Sequence, residues 1–211
     1  MSLPVAVPSK IVCAGRNYRA HAAELGNDVP DEPLVFLKPP STLIGEGEAI
    51  LLPHGVGRVD YEGEIAVVVG RRARNLREED VADHLSGILP LNDVTAREYQ
   101  RTDSQWLRAK GFDTFCPVGT PVPLGGIDLG AIDVVTRVNG EERQRGSSGQ
   151  MVFPIPFLVS WISRIMTLEP GDIVTTGSPK GVGPLEAGDE VEVEVVGVGS
   201  VRNSVRMAPD A

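Results

Sequence analysis

Cysteine, histidine and aromatic residues are all scarce in this 211-residue sequence. It holds two Cys and three His, and Phe, Trp and Tyr together make up 5% of it. Cys13 and Cys116 lie far apart and form no C-x-x-C pair, so the expectation is two buried, reduced thiols of a cytoplasmic protein rather than a disulfide. Basic charge is also short. Twenty Lys and Arg stand against 29 Asp and Glu, for a net charge of −9. Such a field repels a phosphate backbone and an anionic bilayer, which excludes nucleic acid and a membrane surface as natural partners. No apolar run approaches a membrane span, and the opening MSLPVAVPSK lacks the form of a signal peptide. Internal repeats, low-complexity tracts and an interdomain linker are missing too, so one domain over residues 1–211 is expected.

Glycine and proline, by contrast, are abundant. With 24 Gly and 17 Pro they fill about a fifth of the chain, against roughly 12% on average. That favours turns and short strands over a helical bundle. Short apolar runs predict strands at Ile11–Ala14, Leu34–Leu37 and Ile50–Leu52. Tyr61–Val69 ends in Ile65-Ala66-Val67-Val68-Val69, apolar on both faces as a doubly covered central strand would be. Further strands are expected at Gly87–Leu91, Asp172–Thr176 and Glu190–Val196. Asn139-Gly140 between Ile132–Val138 and Glu141–Gln144 signals a hairpin. Helices are expected from Tyr18 to about Leu25, capped by Asn17, and near Glu78–Ser86, Thr95–Thr102 and Ile155–Met166. The polar stretch Gly26–Pro33 reads as a loop that could act as a lid. The sum is an α+β, strand-rich domain with peripheral helices.

Glu62 and Glu64 sit two apart on the Tyr61–Val69 strand, so their carboxylates share a face that continues as Ala66 and Val68. Two like charges against an apolar surface need compensation, and carboxylate oxygens select hard cations such as Mg²⁺, Mn²⁺ or Ca²⁺. Glu190, Glu192 and Glu194 alternate with Val and read instead as the wet face of a strand. Asp93 follows the Ile88–Leu91 strand and could supply a third ligand, or equally cap a helix. His21 and Glu24 are three apart on the first helix, where the carboxylate can orient the imidazole as a general base. Arg97 stands one helical turn beyond Asp93, with Gln100 at the next i+3 position; Lys110 sits in Arg108-Ala109-Lys110-Gly111. Thr176–Gly183 is Gly-rich but lacks the G-x-x-x-x-G-K-[ST] order, so it is no nucleotide loop and could serve as a wall of backbone donors. These spacings reach a divalent-metal site and no named reaction.

Several segments in order resemble the fumarylacetoacetate hydrolase family. They are Gly15-Arg16-Asn17-Tyr18 into His21-x-x-Glu24, Glu32-Pro33 to Phe36-Leu37-Lys38-Pro39, and Asp60-Tyr61-Glu62-Gly63-Glu64 through Gly70. Asn92-Asp93-Val94-Thr95-Ala96-Arg97, Gln105-Trp106 to Lys110-Gly111-Phe112-Asp113, and Cys116-Pro117 follow. Val138-Asn139-Gly140-Glu141, Leu168-x-x-Gly171-Asp172 and Thr176 to Gly183 complete the set, over about residues 11–206. The resemblance implies a mixed β-sheet roll with a short lid helix, a homodimer, and one Mg²⁺ or Mn²⁺ per subunit on Glu62, Glu64 and Asp93. It implies catalytic roles for His21, Glu24 and Lys110, and substrate contacts at Arg97, Gln100 and Ser178, where Ser replaces the more frequent Thr. The large N-terminal domain of the eukaryotic fumarylacetoacetate hydrolases is not in this sequence.

The activity this implies is hydrolysis of a C–C bond in acylpyruvate-type 2,4-dioxo acids, giving pyruvate and a carboxylic acid by way of an enolate. The same site would serve two alternatives without water: decarboxylation of oxaloacetate, or isomerisation of 2-hydroxyhepta-2,4-diene-1,7-dioate in aromatic catabolism. A non-catalytic metal-binding protein is a third reading, and it would leave such a complete set of reactive side chains without a task.

Overall fold

The computed structural model describes residues 3–210. Two five-stranded sheets carry the fold. The first runs β2 (Leu34–Lys38), β1 (Ile11–Gly15), β12 (Ile173–Thr175), β6 (Gly63–Val69) and β7 (Leu85–Asn92). Only its β1–β12 pair is parallel. The second runs β11 (Glu141–Ser147), β10 (Asp133–Val138), β14 (Glu190–Val195), β15 (Gly199–Met207) and β4 (Ile50–Leu52), parallel only at β15–β4. A three-stranded ribbon joins β13 (Gly183–Pro184), β5 (Val59–Tyr61) and β8 (Thr95–Ala96), while β3 (Leu43–Ile44) pairs with β9 (Cys116–Pro117). The helices are short: α1 (Arg19–Glu24), α2 (Val81–His84), α3 (Arg97–Thr102), α4 (Leu107–Lys110), and the longer α5 (Ile155–Ile165). This is the strand-rich α+β class with peripheral helices.

Strand β6 explains the two-layer core. All seven of its residues are buried. Ile65, Val67 and Val69 face α5 and the second sheet, meeting Val134, Val193, Ile155 and Ile162. Ala66 and Val68 face the other way, onto Ile11, Leu89, Leu91 and the free thiols of Cys13 and Cys116. Each such aliphatic side chain contributes about 1.5–3 kcal/mol by leaving water. The Asn139-Gly140 turn has both residues at positive φ, +54° and +80°, which a two-residue hairpin of this hand needs. Strand β14 alternates buried Val with more exposed Glu, as its sequence predicts.

Several local expectations are corrected. Asn17 does not cap α1, whose N-cap is Tyr18 with no side-chain bond. Its amide instead donates to Phe153 O and Thr176 O and accepts from Phe153 N, clasping two distant segments. The Tyr61–Val69 strand breaks at Glu62, which lies between β5 and β6. Glu78–Ser86 divides into a 3₁₀ turn (Glu78–Asp80), α2, and the first residues of β7. Thr95 and Ala96 pair with β5 rather than beginning a helix, so α3 starts only at Arg97. On α5 the buried face is Ile155, Leu158, Val159, Ser160, Ile162 and Ser163, leaving Ile165 exposed. The two serines turn inward because Ser160 donates to Leu76 O and Ser163 accepts from Leu76 N.

Candidate active site

The site forms where β6 and β7 diverge. Their register sets Gly63 opposite Asn92. Glu62 N donates to Asn92 Oδ1 at 2.9 Å, and Asp93 N donates to Glu62 O at 2.8 Å. Asp93 therefore emerges beside Glu62 and Glu64, and it bonds to lysines instead of capping a helix. Ligand atoms from the three carboxylates lie within 4.8 Å of one another, and all three residues are buried. Gly63 between them has no spare room, since a Cβ there would stand 2.0 Å from Thr136 Oγ1 on β10.

Basic side chains compensate two of the three acids. Lys110, at the end of α4, donates to Glu62 Oε2 (2.9 Å), to Asp93 Oδ2 and to Thr95 Oγ1 (2.7 Å). Lys38, at the end of β2, donates to Asp93 Oδ1 at 2.6 Å and to Val94 O. Arg97 reaches Glu62 Oε1 at 2.6 Å and Asp60 Oδ2 at 2.7 Å, and also holds Gln100 Oε1 at 2.8 Å. Its Nη2 is buried without a protein hydrogen-bond partner among the described residues. Burial would raise the Glu62 carboxyl, but Lys110, Arg97 and His21 together hold it well below the usual carboxylate range. Lys110 is raised in turn: burial opposes its charge, and Asp93 and Glu62 outweigh it.

Glu64 is different. It accepts from Gly177 N at 2.9 Å and, among the described residues, has no basic side chain within salt-bridge distance. Burial, then the charges of Asp93 and Glu62, push its carboxyl up to about 8. A buried trio of hard oxygen donors, one of them short of a cation, fits a divalent ion of the Mg²⁺ or Mn²⁺ kind.

His21 is buried on α1, with Nδ1 3.3 Å from Glu24 Oε2 and Nε2 3.9 Å from Glu62 Oε1. Glu24 also accepts from Gly181 N at 3.0 Å, which fastens α1 to the Gly-rich loop. The expected wall of backbone donors is corrected: Gly177 N and Gly181 N are taken up by Glu64 and Glu24, so the loop braces these carboxylates and none of its residues lines the open space beside them. A cavity of about 570 Å³ opens over these groups, lined among others by His21, Glu62, Asp93, Arg97, Gln100 and Lys110. Ser178 does not reach it. Its hydroxyl is buried, donating to Gly63 O and accepting from Gln144 Nε2, so it braces the Glu62-Gly63-Glu64 segment from behind.

Sequence reasoning missed Lys38 and Asp60. Both carried a period-two signal: Asp60 precedes Glu62 and Glu64 at the same spacing, and Lys38 follows Phe36, whose ring lies 4.9 Å from Lys110 Nζ.

Residues 10–206 match the family model described as fumarylacetoacetate (FAA) hydrolase C-terminal. The chain belongs to the fumarylacetoacetate hydrolase family. It is 42% identical over 202 residues to an oxaloacetate tautomerase of Arabidopsis thaliana, covering 93% of this chain and 91% of that protein. The solved structure of 2-hydroxyhepta-2,4-diene-1,7-dioate isomerase from Mycobacterium marinum superposes with a TM-score of 0.90 at 38% identity, over 99% of this chain and 78% of that one. Fumarylpyruvate hydrolase from Pseudomonas aeruginosa, solved with Mn²⁺ and pyruvate, gives 0.89 at 29% identity, over 95% and 91%. The named relatives are thus a tautomerase, an isomerase and a hydrolase, and the family's members are enzymes. Among the described residues no helix is long and apolar enough to cross a membrane.

Proposed function

We propose that this chain is a divalent-metal-dependent enzyme of small 2-oxo acids that hydrolyses a C–C bond in 2,4-dioxo acids, giving pyruvate and a carboxylic acid. The observation that carries the reading is the His21–Glu24 pair, held with the imidazole Nε2 3.9 Å from Glu62, one of the three clustered carboxylates of Glu62, Glu64 and Asp93. These three would hold the cation, Mg²⁺ or Mn²⁺. When bound it supplies Lewis acidity to the 2-oxo and carboxylate oxygens of the substrate.

The residues of the chain divide the remaining work. Glu24 accepts the Nδ1 proton of His21, leaving the Nε2 lone pair toward the cavity to take a proton from water. The hydroxide so formed adds to the C4 carbonyl. The C3–C4 bond then breaks, and its electron pair passes to C3 and the 2-oxo oxygen as an enolate. A proton returned to C3, with His21 as donor, completes pyruvate. Lys110 has its three N–H donors occupied by Glu62, Asp93 and Thr95, so it assists the enolate by charge. Arg97 Nη2 is a free buried donor for a substrate carboxylate.

A second reading, keto–enol tautomerisation of oxaloacetate, is favoured by the 42% identity to the Arabidopsis tautomerase. It would use the same enolate and no water. Pyruvate release from acetylpyruvate, with Mn²⁺ and again with excess EDTA, tests the first reading. Loss of the enol absorbance of fresh oxaloacetate tests the second. Metal-dependent pyruvate release that His21→Ala lowers by about 10²–10⁴-fold supports hydrolysis, the range expected of a general base. Enol loss without pyruvate release would replace it with tautomerisation.

A further inference from the structure

Strand β11 lies at the edge of the second sheet, and its run Glu141-Glu142-Arg143-Gln144-Arg145 is charged and exposed except at one point. Gln144 is 2% exposed. It stands opposite Thr136, where the β10–β11 register shifts, and its side chain reaches the back of the carboxylate cluster. Chemistry fixes which way its amide points. Oε1 accepts from Gly63 N at 3.0 Å, a group that can only donate, and Nε2 donates to Pro179 O at 2.7 Å, a group that can only accept. The second Nε2 proton goes to Ser178 Oγ at 2.8 Å, and that hydroxyl donates in turn to Gly63 O at 3.1 Å.

These bonds stand in for a missing strand. β12 pairs with β6 as far as Thr175 opposite Ala66, and Thr176 still donates to Ile65 O through N and Oγ1. Beyond it the chain turns into the Gly-rich loop, and Gly63 N and O would be buried without partners but for Gln144 and Ser178. Gly63 separates Glu62 from Glu64, so whatever fixes its peptide groups fixes where both carboxylates begin. The loop is seated on the same strand. A Cβ at Gly181 would collide with Arg143 O, and one at Gly146 would stand 2.5 Å from Pro179 Cβ, so loop and β11 touch on both sides of Gln144. Gly181 N holds Glu24, and Tyr61 Oη donates to Gly181 O at 3.0 Å.

We propose that Gln144 is a positioning residue: it ties the Glu62-Gly63-Glu64 segment to the loop that fastens Glu24, and so sets the spacing between the carboxylate triad and His21. This rests on the reading of those groups as metal ligands and general base. Gln144 itself does not line the cavity. A neutral amide suits its place, because it donates and accepts at once and adds no charge beside three buried acids.

Calorimetric Mn²⁺ titration of metal-stripped protein, with amide exchange followed in EDTA, tests this on two variants. Gln144→Met keeps the size and removes the amide; Gln144→Asn keeps the amide one methylene short of its partners. Asn203→Leu is the control, since that buried amide of the same sheet bonds to Gly45 O and Glu48 O instead. Both Gln144 variants are expected to bind Mn²⁺ about 10–100-fold more weakly, and to exchange Gly177 and Gly181 N–H ahead of the rest of the chain. At saturating Mn²⁺, kcat for pyruvate release should fall by more than KM rises. The control should melt at a lower temperature with its Mn²⁺ affinity unchanged. In the wild type, Gly63 N–H should exchange as slowly as the central amides of β6, a readout that needs no variant to fold. Fast exchange there, or wild-type affinity and exchange in Gln144→Asn, would overturn the role. So would an equal loss of affinity in Asn203→Leu, which would make affinity a measure of overall stability. If the wild type binds no Mn²⁺, or releases no pyruvate from 2,4-dioxo acids, the underlying reading fails, and exchange in EDTA still decides whether Gln144 holds the two segments together.

Discussion

Glu64 is a liability to the metal-free fold and would be a ligand in a metal-loaded one, and Glu64→Gln separates the two roles. Its carboxyl is buried beside Asp93 and Glu62 and pushed from 4.5 up to about 8. A folded-state value above the unfolded one means the folded chain retains a proton that the unfolded chain gives up. Stability from this group is therefore full below about pH 4.5 and is lost as pH rises toward 8. At 1.36 kcal/mol per pH unit, the loss by pH 7 is about 3 kcal/mol. For a chain of this size that corresponds to a melting shift on the order of 10 °C. Glutamine stays neutral at every pH and still accepts from Gly177 N. In EDTA the variant should thus gain on the wild type as pH rises from about 5 to 8, followed by chemical denaturation at each pH. Adding Mn²⁺ should reverse the order at pH 8, because the ion requires the ionised carboxylate and stabilises only the wild type appreciably. Parallel stability curves for the two proteins in EDTA would refute the claim that Glu64 is crowded by its acidic neighbours.

Other substitutions probe the supports of the site. Gly63→Ala would place a methyl 2.0 Å from Thr136 Oγ1 between the two sheets; urea denaturation should show a loss of about 1–3 kcal/mol or more. Lys38→Met leaves Asp93 Oδ1 buried without its ammonium partner, and should cost about 3–5 kcal/mol by the same measurement. Asn17→Leu removes three hydrogen bonds and leaves Phe153 N and Thr176 O to seek other partners. It should lower stability by about 1–3 kcal/mol for each buried group left unpaired, and speed amide exchange around Phe153.

The triad was legible because strand alternation puts Glu62 and Glu64 on one face, and that face has no wet continuation to excuse them. The cations that balance the acids were less visible, because ion pairing is a matter of three dimensions. Lys38 lies 55 residues from Asp93, and before two prolines it reads as a strand terminator. Asn17 misled for a related reason: a side-chain amide ahead of a helix serves equally as a cap or as a tertiary clasp, and only the position of Phe153 decides. Strand β15 was hidden by composition. Its inward positions are Val201, Asn203 and Val205, and the buried amide of Asn203, bonded to Gly45 O and Glu48 O, interrupts the apolar alternation. His21 was legible from its spacing to Glu24 and Gln100 from its place after Arg97, whereas Ser178 was named only through the family resemblance. Ser178 stands behind the site rather than in the cavity.

Glu62, Glu64 and Asp93 would together form one divalent-metal centre. Its most direct test is a Mn²⁺ titration of metal-stripped protein, read by calorimetry and by electron paramagnetic resonance, for the wild type and for Asp93→Asn. One tight ion per chain is expected in the wild type, binding more tightly as pH rises toward 8, with a large loss of affinity in the variant. Equal binding by both proteins, or no saturable site in the wild type, would contradict it.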